Sequence, residues 1–291
     1  MDGMTSTTRP RPSARPAFPA RRRRLGDLAR HPVVAASAVA LVIAGAGAAA
    51  GTDAFRVFRA QQLETVEVRA DDLVALPDLS GLGEVELAGD PRPREADDAR
   101  AAGTETGLAV PTATVLPDGV TGTPAYQVAG PVGATVTLDA ARAAEAGLPD
   151  LPAELDGAEF QVDAGPGVAQ IWTSDTGLPR LVVGTARAPQ LSADEADVAA
   201  LRDYLLSLRG MPDGLVASLD GLDPSAGTLP LPVPEGLADS TTSDVGGVTA
   251  TVLETPDRAL AAVVWIEGGV VTLVAGAYSG DELLDIARGL E

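Results

Sequence analysis

Residues 248–291 read VTATVLETPDRALAAVVWIEGGVVTLVAGAYSGDELLDIARGLE, and their periodicity decides the fold class. Three runs rich in β-branched residues, VTATVLE, LAAVVWI and VVTLVAG, are separated first by Pro256 and Asp257 and then by Gly268 and Gly269. Proline with aspartate punctuates a turn, and paired glycines supply the positive φ of a tight hairpin, so the runs predict three antiparallel strands. The period then changes. Ser279 with Glu282 spells a capping box, and Leu283, Ile286, Ala287 and Leu290 fall on one helical stripe. A strand-strand-strand-helix unit buries that stripe against one sheet face, which sets the class as α+β with antiparallel sheet.

Towards the N-terminus the same signals recur at lower density. LPLPVP, residues 229–234, cannot lie mid-sheet because alternate prolines remove ladder donors. Ser192 with Glu195 predicts a second capping box, opening a helix with Val198, Leu201, Leu205 and Leu208 on one face and Gly210 and Pro212 at its end. A shorter helix is predicted from Asp213 to Leu222, with Leu215, Val216 and Leu219 inward. Residues 125–129 and 134–138 flank Gly130, Pro131 and Gly133 and read as a hairpin, after which Asp139 caps a short helix stopping at Gly147. The runs from Ala158 and Val168, joined through Gly165 to Gly167, and the run from Leu181 complete an antiparallel meander. Upstream of Pro124 the pattern is weaker. Val66 and Val68 read as extended, Leu73, Val74 and Leu76 stop at Pro77, and Pro91, Pro93, Asp97 and Asp98 predict a loop and a short helix.

Charge organises the chain on a larger scale. Before residue 32 eight arginines face two aspartates, a net +6, whereas after residue 51 thirteen arginines face 39 carboxylates, a net −26. Between them residues 33–51, VVAASAVALVIAGAGAAAG, carry no charge. As a helix they reach about 28 Å, close to a hydrocarbon core of roughly 30 Å. The run Arg21, Arg22, Arg23 and Arg24 supplies the positive-inside signal and a contact for anionic lipid head groups. The expected organisation is a disordered basic cytoplasmic tail (1–32), a transmembrane helix (33–51), a juxtamembrane and linker region (52–123) and an extracytoplasmic α+β domain (124–291). Phe55 and Phe58, alternating with Arg56 and Arg59, are expected to continue the helix into the interface. Twelve of the nineteen span residues are alanine or glycine, so a signal-peptide apolar region cleaved near Ala48 or Ala50, releasing a secreted domain, is the alternative. Gly47 and Gly51 have the spacing of a helix-dimer contact, which alanine-glycine composition alone also produces.

Composition closes several chemistries. There is no cysteine and no lysine, and His31, the single histidine, lies on the cytoplasmic side of the span, so an exported Ser-His-Asp triad, Schiff base or thiolate has no residues to build it. The acidic domain is a poor match for nucleic acid. Carboxylates remain. Asp194, Glu195 and Asp197 complement a helix N-terminus better than they serve acid catalysis, and Asp213, Asp220 and Asp223 lack the ligand spacing of a calcium loop. No catalytic, cofactor or metal residue is therefore assigned. Trp172 and Trp265 sit inside strand patterns; core packing is the ordinary reading, and a ligand-facing position is the alternative.

The terminal stretch, with Trp265 in the middle strand, Gly268 and Gly269 in the turn, Gly276 at a strand end and SGDELLDIARGLE from Ser279, resembles the C-terminal module found at the outer end of bacterial anti-sigma factors and related envelope proteins. The order of basic tail, span and acidic domain is similar to single-pass sigma regulators. The resemblance implies an exported sheet akin to the half-barrel sensor and carrier domains of the RseB and LolA type. A helical domain holding a sigma factor does not fit within the 32 residues ahead of the span, so the resemblance implies loss of that domain, a start further upstream or an accessory sensor. The expected function is a membrane-anchored sensor or regulatory domain, with membrane lipid and an envelope protein, peptide or lipid-like ligand as partners. The alternative is a cell-envelope hydrolase using two carboxylates.

Overall fold

A computed structural model describes residues 55–69, 81–90, 92–174, 177–194, 198–208, 213–220 and 227–291. The tail with Arg21 to Arg24, the span with Gly47 and Gly51, and Glu195, Asp197 and Asp223 lie outside these residues. In chain order the elements are β1 (Phe55–Arg59), β2 (Gln62–Val68), β3 (Gly83–Gly89), β4 (Arg94–Ala96), α1 (Ala99–Thr106), β5 (Ala125–Ala129), β6 (Val132–Leu138), α2 (Ala140–Glu145), β7 (Glu159–Ala164) and β8 (Gly167–Thr173). They continue with β9 (Pro179–Arg187), β10 (Gln190–Asp194), α3 (Val198–Ser207), α4 (Asp213–Asp220), β11 (Thr228–Pro234), β12 (Asp239–Val245), β13 (Val248–Glu254), β14 (Ala261–Glu267), β15 (Val270–Gly276) and α5 (Gly280–Arg288).

The protein is mixed α+β and almost wholly antiparallel. One sheet has five strands in the order β1-β10-β7-β6-β3, and another has eight in the order β12-β13-β14-β15-β9-β8-β5-β4. The terminal unit forms as its periodicity requires: β13, β14 and β15 pair antiparallel, Gly268 and Gly269 both take positive φ, and Ser279 and Glu282 close the capping box of α5. Leu283, Ile286 and Ala287 of α5 are buried against Val263, Trp265 and Val274. Asp98 and Asp139 cap α1 and α2 by accepting backbone N–H bonds, as short polar side chains at helix starts do.

Between the sheets the chain departs from the simple meander. β5 and β6 were expected to pair as a hairpin, but β5 joins the eight-stranded sheet and β6 the five-stranded one. The chain turns a corner at Gly130 and Pro131 instead. The same happens between β3 and β4 ahead of Arg94, between β7 and β8 at Gly165 and Pro166, and between β9 and β10 at Ala188 and Pro189. The registers set these corners side by side: Ala129 lies opposite Gly167 and Val132 opposite Ala164, while Gly167 lies opposite Ala186 and Asp163 opposite Gln190. Proline at each corner removes a ladder donor where strand pairing must break, and the bends turn single strands from one sheet to the other.

Three further expectations are corrected. Phe55–Arg59 is not helical but an edge strand that pairs with β10 over five positions, and its two phenylalanines and a valine favour extended backbone. Ser192 is not a helix cap; it lies within β10 between Val57 and Gln161, and the described part of the helix begins at Val198. The predicted face of that helix holds, since Leu201, Leu205 and Leu208 pack on the core formed by Leu138, Phe160 and Leu191. Residues 55–123 supply β1 to β4 and α1 to the sheets, not a linker, and Thr112 exchanges backbone hydrogen bonds with Glu291.

The proline-rich strand β11 pairs only with β2, in parallel. The Glu235 N–H donates to Val68, so by alternation Leu229, Leu231 and Val233 face β2 while Pro230, Pro232 and Pro234 turn their donor-less nitrogens away from it. This ribbon packs against β13 and β14 on the sheet face opposite α5.

Candidate functional site

A cleft of about 370 Å³ opens where β3 and β6 meet the start of α2, lined by Glu84, Thr137, Asp139, Arg142 and Asp156 among others. Its charged groups have local duties. Asp139 Oδ1 accepts from the Arg142 N–H at 3.0 Å, and Asp156 Oδ1 accepts from the Ala140 N–H at 2.9 Å. The Arg142 guanidinium donates to the Gly83 carbonyl at 2.8 Å. Two of the three carboxylates thus satisfy the orphan donors of a helix end, leaving Glu84 as the acid without such a duty. The arrangement suits docking of a small polar or cationic group better than acid-base chemistry by a carboxylate pair.

The acids singled out in the sequence do not converge. Asp194 ends β10, Asp220 ends α4, and Asp213 meets Arg69 at 2.6 Å on the surface. Among the described residues no group of three histidine, cysteine or acidic side chains is arranged to hold a metal. Trp172 and Trp265 come together, but inside the core: both are 6% exposed and belong to the cluster beneath α5. The structure places them away from solvent, as packing residues. Among the described residues the Trp172 indole N–H and the Thr185 hydroxyl have no hydrogen-bond partner.

Perturbed ionisations mark joints of the fold. Burial pushes the Tyr204 phenol up, with the Asp150 carboxylate adding to the effect, and the hydroxyl donates to the Pro149 carbonyl at 2.9 Å. Asp257 is held below the ordinary carboxylate value by the Thr255 hydroxyl and then the Ala259 N–H, within the turn before β14. Glu282 is lowered by the backbone N–H and then the hydroxyl of Ser279, at 2.9 and 2.7 Å. None of the three lines the cleft.

Two features escaped the sequence reading. Arg180 donates from Nε to the Tyr278 hydroxyl at 2.8 Å, and that hydroxyl donates to the Asp118 carbonyl at 3.1 Å, pinning residues 117–120 to β9. No local pattern announces this clamp, because its members lie far apart in the chain. β3 did carry a signal: Glu84, Val85, Glu86 and Leu87 alternate with a period of two between Gly83 and Gly89. Val85 and Leu87 are 41% and 63% exposed.

No family model, curated protein or solved structure matches the chain. Among the described residues no helix is long and apolar enough to cross a membrane.

Proposed function

We propose that this chain is a single-pass membrane protein whose folded domain lies outside the cytoplasm and serves as a sensor or regulatory binding module. The observation that carries the reading is the order of a +6 tail, a 19-residue uncharged stretch and a −26 remainder, with the first described strand beginning at Phe55, four positions beyond Gly51. That spacing limits Phe55, the start of edge strand β1, to about 15 Å from the end of the uncharged stretch even with the connection fully extended. The binding role is supported by a cleft in which Glu84 has no helix-capping duty and by apolar side chains left exposed on β3. A link to envelope-stress or sigma-factor signalling rests on the likeness of the terminal module to anti-sigma proteins, and an adjacent sigma-factor gene would sharpen it.

The absence of cysteine makes the topology directly testable. Leu178→Cys, at a position 67% exposed, is expected to react with a membrane-impermeant maleimide in intact spheroplasts, and Thr5→Cys only after permeabilisation. Labelling in the reverse order would overturn the orientation. Recovery of the domain in the soluble fraction without its first 50 residues would replace the anchor with a cleaved signal.

A further inference from the structure

The outer edges of the two sheets are unequally protected. β4 is three residues long and follows Pro93. β12 carries Asp239 and Asp244, and Arg288 donates to the Asp244 carbonyl at 3.1 Å and to the Ser243 hydroxyl at 3.3 Å. Short length, charge and covering side chains are the usual means of blunting an edge. β1 has five residues, two of them arginine. β3 has seven residues and no proline; it carries Glu84 and Glu86, and Arg142 covers the Gly83 carbonyl, but the backbone beyond Gly83 has no such cover among the described residues.

The direction of its backbone groups follows from the ladder. Leu138 of β6 donates to Ala158 and accepts from Gly157, so it faces β7, and its partner across the ladder, Gly83, faces outward. The bond from the Arg142 guanidinium to the Gly83 carbonyl agrees with this. By alternation Val85 and Leu87 also turn their N–H and C=O groups outward, and no described residue bonds to them. Their side chains extend apolar rows of the core: Val85 lies beside Val136 and Phe160, and Leu87 beside Ala134 and Val162. On the other face Glu84 and Glu86 continue towards Glu159 through Thr137, and towards Gln161 through Thr135.

We propose that β3 is a docking edge that takes up an extended segment of a partner protein as a sixth strand, and that this segment alternates apolar with lysine or arginine residues. Backbone groups of Val85 and Leu87 supply the ladder, the apolar side chains of the partner extend the core rows, and its basic ones oppose Glu84 and Glu86. A second copy of the chain fits poorly, because antiparallel β3 pairing sets Glu86 against the acids of its mate. The inference deepens the binding-module reading by naming the partner chemistry, and its assay on purified protein is independent of membrane orientation.

The test uses the full chain in mild detergent and an end-blocked heptapeptide, Lys-Val-Lys-Val-Lys-Val-Lys, with binding read by calorimetry. The expected result is saturable binding, at least about tenfold weaker for the counterpart with glutamate in place of lysine. A lysine peptide of unchanged charge, N-methylated on alternate amides, is expected to lose binding. So is Leu87→Pro, which removes an outward N–H that the β6 ladder does not use. Glu84→Lys with Glu86→Lys is expected to reverse the charge preference. No binding, equal binding of the methylated peptide, or self-association of the chain abolished by Leu87→Pro would each overturn the proposal.

Discussion

The chain crosses between the two sheets four times, after β3, β5, β7 and β9, yet the sheets are assembled from it in opposite ways. In the eight-stranded sheet β12, β13, β14 and β15 are neighbours both in sequence and in space. Their turns at Gly246–Gly247 and Gly268–Gly269 need only local backbone geometry. In the five-stranded sheet β1 pairs with β10 and β3 with β6, and no neighbouring pair is closed by a tight hairpin. Local order can be specified by periodicity and turn residues, whereas the second sheet depends on the corners and on one core to bring distant segments together.

That contrast can be broken. Phe160, buried where the five-stranded sheet meets α3 and β11, is the severest point to test it. Phe160→Ala is expected to lower unfolding free energy by about 3–5 kcal/mol in denaturant titrations. If the corners couple the sheets, tryptophan fluorescence, which reports only the eight-stranded sheet through Trp172 and Trp265, will change together with circular dichroism. A tryptophan transition left at its original midpoint would show two independent bodies. Leu283→Ala, under α5, should cost about 2–5 kcal/mol and shift both probes equally.

Smaller changes sharpen the local side of the comparison. Ser279→Ala removes the cap of α5 and should cost about 1 kcal/mol, measured by thermal melting. The smallest effect concerns pH. The Glu282 carboxyl is held below its ordinary value of 4.5, so its contribution is fully present above that pH and fades as pH falls through the lowered value. Glu282→Gln, which can still close a capping box, should leave melting at neutral pH little changed and flatten the loss of stability below about pH 4.5.

Legibility follows the same division. The three strands and helix after Gly247 could be read directly because alternation, paired glycines and a capping box coincide there. β11 was constrained by its prolines, and the burial of α3 by its leucines. The corners could not be read: Gly-Pro between two extended runs marks a hairpin and a change of sheet equally well, and only long-range pairing distinguishes them. Ser192 shows the limit from the other side, since a serine three residues before a glutamate spells a cap only if the backbone is not already held in a ladder. Of the candidate site, the acidic character was legible, but the cleft was not, because Glu84, Asp139 and Asp156 are brought together by pairing of β3 with β6 and by the loop after α2.

The corners also bear on inheritance. Because the polypeptide passes from one sheet to the other between β3 and β4 and at Gly130–Pro131, Gly165–Pro166 and Ala188–Pro189, the strands from β3 to β10 form a mosaic of alternating gene segments. No single truncation point delivers one sheet without strands of the other: a stop after Asp194 completes the five-stranded sheet but strands β4, β5, β8 and β9 without β12 to β15. The terminal hairpins and α5 are one contiguous stretch joined to this mosaic through the seven-position ladder of β15 with β9, so a change in the length or pleat of β9 is felt in both.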